Sequence, residues 1–387
     1  VQRTVETWRA QLAALRRQAA QGVPVWDRGV RAFHWLLAAS VLVAGLTGFF
    51  ATRSLLTLHL ISGTAIAALV GWRIVWGLLG PGYARFASFW ISPRATLDYA
   101  RGAYAGHARR YLGHNPLGAA MVFALLGVLA LISVTGVIAL GGELKQGPFA
   151  SFFNFTVGDL SLGLHNFLAG LLVALVVSHL AGVGFETWRE RENLALAMVT
   201  GRKLPESGAA AVPWRARLWL AGAICLIGGA GAAAGLTLLA HRPVAGLPSA
   251  TLDPAYAREC GACHFALPPS IATAATWQAI MDHLDQHFGE DASLSPDVAQ
   301  HIRAWLTAHA AERYDTLPSV RLTRRIDPTQ PLRVTATGFW RRVHEGISDA
   351  VFADRKVGGR VECNACHRDA ASGLFAPQSI EVPESAE

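Results

Sequence analysis

Charged residues are scarce in this chain: 16% of its 387 residues are Asp, Glu, Lys or Arg, against 52% hydrophobic. A soluble domain carries about a quarter charged residues, so the shortage argues against one large water-soluble core and for membrane spans. Acidic residues are rarest in the first part. Residues 1–240 hold 20 Lys and Arg against 9 Asp and Glu, a net of +11; residues 241–387 hold 14 against 18, a net of −4. Basic excess on a membrane protein belongs to its cytoplasmic loops, so nucleic-acid binding is not expected. No long apolar run precedes Phe33, and that run leads into further spans, so no cleavable leader is expected. No signalling domain is visible.

Five stretches are long enough to cross a bilayer, which takes about 20 apolar residues per helix: Phe33–Phe50, Leu55–Leu79, Leu117–Leu140, Leu162–Phe185 and Leu218–Ala240. The first two read as a helical hairpin. Arg28 and Arg31 precede the first span; Arg85, Arg94, Arg101, Arg109 and Arg110 fill the second loop; Arg189, Arg191, Arg202, Lys203, Arg215 and Arg217 fill the fourth. The first and third loops hold only Arg53 and Lys145. The positive-inside rule then puts the N-terminus in the cytoplasm and everything after His241 on the opposite side. Val5, Trp8, Leu12 and Leu15 recur at helical spacing among arginines, as in an interfacial helix or one packed on a partner.

Cysteine is equally sparse. Four of the five lie in Cys260-Gly-Ala-Cys263-His264 and Cys363-Asn-Ala-Cys366-His367. Two thiols at this spacing form thioethers with haem vinyl groups, and the adjacent histidine reaches the iron. A zinc site or redox dithiol does not require histidine after each second cysteine. Cys225, inside the fifth span, reads as a small buried apolar residue. For the sixth ligands, a helix expected over Trp277–Phe288 brings His287 near its apolar face. A second helix, with Ser295 as N-cap and Pro296 at its first position, aligns His309 with Val298, Ile302 and Trp305. Periodicity does not choose between His287 and His309.

Three spans carry histidine: His34 in the first, His59 in the second, and His165 and His179 in the fourth. Imidazole at membrane depth is costly without a partner. His165 and His179 are 14 residues apart, so they share a helix face about 21 Å apart along the axis. That suits two haems, one near each membrane surface. Matching depths pairs His59 with His165 on the outer side and His34 with His179 on the inner. Gly63, on the His59 face, leaves room for a porphyrin or for ordinary helix packing.

Val25-Trp26-Asp27-Arg28, with Arg31-Ala-Phe-His34-Trp35, resembles the opening of prokaryotic cytochrome b561 and of nickel–iron hydrogenase cytochrome b subunits. So do Gly71-Trp72-Arg73, Gly80 to Phe86, and Gly113-His114-Asn115-Pro116-Leu117-Gly118. Over residues 24–200 the resemblance implies a four-helix bundle with two bis-histidine b haems on His34, His59, His165 and His179, and quinone exchange near the inner haem. Asn115 is the candidate quinone contact, with Arg73 a second; Asn115 is equally placed to cap its helix. Residues 250–380 resemble the dihaem cytochrome c family, through the two Cys-His motifs, His287-Phe288-Gly289-Glu290 and Trp340-Arg341-Arg342-Val343-His344. That resemblance implies proximal His264 and His367, distal His287 and His344, and electron transfer to small periplasmic haem proteins.

The expected architecture is all-α. An N-terminal segment (1–23) precedes a four-span di-haem b domain (24–200), a cytoplasmic linker with a fifth anchor span (201–240), a linker (241–252) and a small, mostly helical, periplasmic dihaem c domain (253–387). The chain is expected in a bacterial inner membrane with two haem b and two covalent haem c. Electrons would pass from quinol to a periplasmic acceptor such as a small c-type haem protein, a quinol:cytochrome c-type oxidoreductase activity; a homodimer is compatible with this. The rivals are electron entry from a periplasmic donor to quinone, a haem enzyme reducing a small oxidant such as superoxide, and a sensor or structural anchor.

Overall fold

The computed structural model describes residues 22–50, 55–90, 92–205, 216–248 and 251–383. The stretch expected to form an interfacial helix, Val5 to Leu15, lies outside them. In the first part of the chain the helices are α1 (Arg28–Phe50), α2 (Leu56–Leu79), α3 (Pro93–Tyr104), α4 (Pro116–Gly142), α5 (Phe155–Glu190), α6 (Leu194–Thr200) and α7 (Leu218–Ala240). Five of them, α1, α2, α4, α5 and α7, are long and apolar enough to cross a membrane. The chain forms two compact units. One holds residues up to Gly136 together with Gly163–Thr237, and the other holds Val137–Leu162 together with residues from Leu238 onward.

In the first unit, four helices share one core. Ile66 and Val70 of α2 and Leu129 of α4 are buried, and Leu37, Val41 and Ala44 of α1, Leu126 and Ala130 of α4 and Leu172 of α5 pack around them. The opposite faces carry exposed Leu42, Phe49, Ile61, Leu131 and Leu180. In water that surface would be unfavourable by about 25 cal/mol per Å²; against lipid it costs nothing. α7 is the extreme case, with Leu226, Ile227 and Leu238 exposed and only Ala221 buried.

Short polar residues set the helix starts. The Asp27 carboxylate accepts from the backbone N–H of Gly29 at 2.8 Å and of Val30 at 3.1 Å, and the Trp76 indole donates to the same oxygen at 3.2 Å. One aspartate thus caps α1 and ties it to α2. Asn193 caps α6 through Leu196 N–H at 2.8 Å, and Gly201 ends it at φ +80°, in the left-handed region that favours glycine. The chain then pairs β2 (Arg202–Lys203) antiparallel with β1 (Val23–Pro24). The amphipathic α3, capped by Ser92, carries no long apolar run, and span-based reading passes over it.

α5 runs 36 residues, about 54 Å, well beyond the expected Leu162–Phe185. A lipid core of about 30 Å limits where side chains must be apolar, not where hydrogen bonding must stop. The Asn154 side chain caps its start through Val157 N–H at 2.9 Å, so the helix includes Asp159 at one end and Glu186 and Arg189 at the other.

The second unit adds α8 (Pro254–Glu259), α9 (Ala274–Asp282), α10 (Pro296–Ala308), α11 (Leu317–Thr323), α12 (Gly338–Val343) and α13 (Asp349–Ala353). Tyr256, Trp277, Met281, Ile302 and Leu306 form one small core; Ile271, Leu322 and Trp340 form another. The α4–α5 connection packs within this unit. Asp315 accepts from Lys145 Nζ at 2.5 Å and from the Phe155 N–H at 2.9 Å. The helix expected over Trp277–Phe288 is shorter. α9 ends at Asp282, a 3-10 turn follows over Leu284–Gln286, and Phe288 sits at φ +53°, half exposed. His287 is therefore presented by a turn and not by a helix face.

Candidate functional site

Eight histidines meet in four pairs. On the membrane helices, the ring centroids of His59 and His165 lie 6.2 Å apart, and those of His34 and His179 lie 6.5 Å apart. In the second unit, His264 and His287 are 6.3 Å apart and His344 and His367 are 6.1 Å apart. Two metal–nitrogen bonds of about 2 Å each, plus the distance from each ring centre to its nitrogen, give about 6.3 Å for one metal held between two imidazoles. All four pairs fit an iron with two axial histidines. Among the described residues, no three of His, Cys, Asp and Glu converge as a metal cage would require.

The ring orientations have local causes. His59 Nδ1 donates to the Ala44 carbonyl at 3.1 Å, and His165 Nδ1 to the Ile132 carbonyl at 3.0 Å. His264 Nδ1 donates to the Phe265 carbonyl and His344 Nδ1 to the Trp340 carbonyl, each at 2.8 Å. A carbonyl only accepts, so in these four rings Nε2 keeps its lone pair, the atom a metal needs. Burial, and then the neighbouring imidazole, hold His287 and His367 below the ordinary histidine pKa, which keeps both rings neutral.

His309 is placed differently. Its Nδ1 donates to the Trp305 carbonyl at 2.8 Å and its ring lies 5.0 Å from the Trp305 ring, with no second histidine ring facing it among the described residues. Of the two histidines that helical periodicity left tied, His287 is the one whose ring faces that of His264 among the described residues.

Each Cys-x-x-Cys-His segment opens in a 3-10 turn, Cys260–Ala262 and Cys363–Ala365. The four thiols are free, and burial raises Cys260 to about 11 and Cys363 to about 12. Thioether formation with haem vinyl groups, the chemistry expected of this motif, would consume both thiols of each pair.

Asn115, at the start of α4, is heavily engaged. Its Oδ1 caps α4 through Gly118 N–H at 2.7 Å, and its Nδ2 donates to Tyr99 Oη at 2.9 Å and Glu186 Oε1 at 3.2 Å. Tyr99 donates to Glu186 at 2.9 Å and Arg189 donates to Tyr99 at 2.8 Å. Burial and the Glu186 carboxylate raise the Tyr99 pKa, so the phenol stays protonated. Arg73 is buried beneath the Phe86 ring at 4.7 Å, with Nη1 lacking a hydrogen-bond partner among the described residues. Sequence reading missed Tyr99, Glu186 and Arg189 as a unit, because residues 87 and 90 positions apart leave no local pattern.

Comparison with known proteins adds two assignments. Residues 25–201 match the family model of prokaryotic cytochrome b561, and residues 256–375 that of dihaem cytochrome c. A probable Ni/Fe-hydrogenase B-type cytochrome subunit of Azotobacter chroococcum is 25% identical over 225 residues, covering 49% of this chain and 91% of that protein. The corresponding protein of Rhizobium leguminosarum is 26% identical over 215 residues, covering 48% and 90%. Among solved structures, the dihaem cytochrome c of Rhodobacter sphaeroides is 34% identical, covering 32% of this chain and 98% of that one, with a TM-score of 0.28. That of Shewanella baltica is 33% identical, covering 34% and 94%, also at 0.28.

Proposed function

We propose that this chain, which belongs to the prokaryotic cytochrome b561 family over residues 25–201 and to the dihaem cytochrome c family over residues 256–375, moves electrons from membrane quinol to a periplasmic acceptor. Electron transfer is common to both assignments, the first of them a membrane cytochrome, and haem b and haem c follow from them. Quinol, the direction of flow and the acceptor are our own reading. The electron chain itself is carried by one observation: four imidazole pairs at 6.1 to 6.5 Å, two on membrane helices and two beside Cys-x-x-Cys-His motifs.

In this reading His34 with His179 and His59 with His165 hold the b haems. His264 with His287 and His367 with His344 hold the c haems, tethered through Cys260, Cys263, Cys363 and Cys366. Bound haem supplies reversible one-electron chemistry, and two imidazoles leave no open position for a small substrate. The arginine-rich connections support a topology with the His34 end of the bundle in the cytoplasm and the C-terminal domain in the periplasm of a bacterial inner membrane. Quinol approaches at the His34 end. There Arg73 offers an unpaired guanidinium N–H, whereas Asn115 reaches a quinol only by releasing Tyr99 or Glu186. The excess of acidic residues in residues 241–387, with haem propionates added, favours an acceptor with a basic surface.

The test is anaerobic addition of a quinol to the detergent-solubilised, full-length protein while b and c absorbance bands are followed. Reduction of b bands first and c bands after is expected. Reduction of c bands alone, or of neither, overturns the quinol reading.

A further inference from the structure

We infer that Thr47 and Thr135 are positioning residues that form two copies of one cradle and give the haem at His59/His165 a lower reduction potential than the haem at His34/His179. This rests on the reading that those four imidazoles hold haem. The cradle recurs on two helices with the same parts. In α1 it is Ala44-Gly45-Leu46-Thr47-Gly48, and in α4 it is Ile132-Ser133-Val134-Thr135-Gly136.

In α1, Thr47 Oγ1 donates to the Val43 carbonyl at 2.7 Å, one turn back. That orients its lone pairs outward, and His59 Nδ1 sits 3.2 Å from Oγ1 and 3.1 Å from the Ala44 carbonyl. In α4, Thr135 Oγ1 donates to the Leu131 carbonyl at 2.8 Å, and His165 Nδ1 sits 3.3 Å from Oγ1 and 3.0 Å from the Ile132 carbonyl. Each imidazole N–H is thus shared between a backbone carbonyl and a threonine oxygen. The glycine that follows makes the space. A Cβ at Gly48 would lie 3.0 Å from His59 Cε1, and one at Gly136 would lie 3.1 Å from His165 Cε1. Both threonines are buried, so water does not compete for these bonds.

The other pair lacks this support on one side, since His34 Nδ1 is buried with no hydrogen-bond partner among the described residues. Donation from the distal nitrogen fixes the tautomer and raises the basicity of the metal-facing one. A more basic ligand stabilises the ferric state over the ferrous. Exchange between the two sites moves one electron and no proton, so at equilibrium the electron rests at His34/His179.

The experiment compares the intact protein with Thr47→Val and Thr135→Val, which keep shape and remove the hydroxyl, and with Thr47→Ser and Thr135→Ser, which keep it. The readout is an equilibrium redox titration of the b bands. Each Val variant is expected to raise the potential of the same b component, the lower one. The expected size is about tenfold in the oxidised-to-reduced ratio at fixed potential, or about 59 mV for a one-electron couple. The Ser variants should titrate like the parent protein. Haem loss from a Val variant with full retention in its Ser counterpart also supports the cradle. Shifts on two different components, an unmoved titration, or Ser variants that shift as far as Val overturn it. His59→Ala and His165→Ala are run alongside. If they leave both b components intact, the ligand reading itself fails; if they remove one while the Val variants change nothing, only the cradle falls.

Discussion

His344 lies flat on the indole of Trp340, with ring centroids 4.2 Å apart at 20°, and donates through Nδ1 to the carbonyl of the same residue at 2.8 Å. The ring is held at two points, and its centroid lies 6.1 Å from that of His367. His309 has a similar bond and a similar indole but no facing histidine among the described residues. His344→Ala and His287→Ala are each expected to leave one c haem high-spin and reactive toward carbon monoxide. His309→Ala should leave the spectrum unchanged. Carbon monoxide difference spectra of the three variants decide it, and binding by the untouched protein would favour a haem enzyme over an electron carrier.

The membrane histidines predict a grouping of phenotypes. His59→Ala and His165→Ala should abolish the same b component, and His34→Ala and His179→Ala the other. Extraction with acidic organic solvent should remove two haems from the parent protein and leave two covalently attached. Low-temperature absorbance spectra of the four variants provide the check, and a shared loss between His34→Ala and His165→Ala would contradict the pairing.

Lys145 is buried, and its ammonium is held by Asp315 at 2.5 Å and the Phe153 carbonyl at 3.0 Å. Asp315→Ala strips away the counter-charge and leaves the Phe155 N–H unpaired. Removing one partner of a fully buried pair costs about 3–5 kcal/mol, and because Asp315 is partly exposed about 2 kcal/mol is expected here. Thermal unfolding followed by Soret circular dichroism should show it, with Lys145→Met, which removes the buried charge, costing less.

Asp253 caps α8, just ahead of Cys260, by accepting from Ala255 and Tyr256 N–H at 2.9 and 3.0 Å, and His301 Nε2 adds a contact at 3.0 Å. Those bonds, the Tyr256 N–H foremost, depress its pKa below 3.8. A carboxylate with a depressed folded pKa contributes its stability above the unfolded value and loses it as pH falls through the folded one. Asp253→Ala should therefore lower the melting temperature of the c-type domain at pH 7, with the gap to the parent protein closing below pH 3.8. A gap that stays constant down to pH 3 would show that the carboxylate charge contributes nothing.

The meeting of His59 with His165 and of His34 with His179 was legible in the sequence. Helical rise converts residue number into depth, and membrane helices are long enough for that conversion to hold. The same arithmetic failed at His287, because α9 breaks after Asp282 and helical phase means nothing beyond the break. The Cys-x-x-Cys-His motifs were legible because their chemistry is local. α3 was not, since a 12-residue amphipathic helix leaves no apolar run. Nor was the polar network of Tyr99, Asn115, Glu186 and Arg189, which only tertiary packing assembles. The two Thr-Gly cradles were visible as dipeptides but gained meaning only once an imidazole was seen to approach each one.

α5 carries both His165 and His179 on one uninterrupted ladder of backbone hydrogen bonds without a proline. The separation of the two proposed b sites is therefore set by peptide geometry, not by how lipids or neighbouring helices arrange themselves. Electron tunnelling decays exponentially with distance, so a joint that flexed by a few ångströms would make the hop erratic. A stiff helix makes it uniform, and the internal transfer rate should hold across membranes of different thickness even where the tilt of the bundle changes.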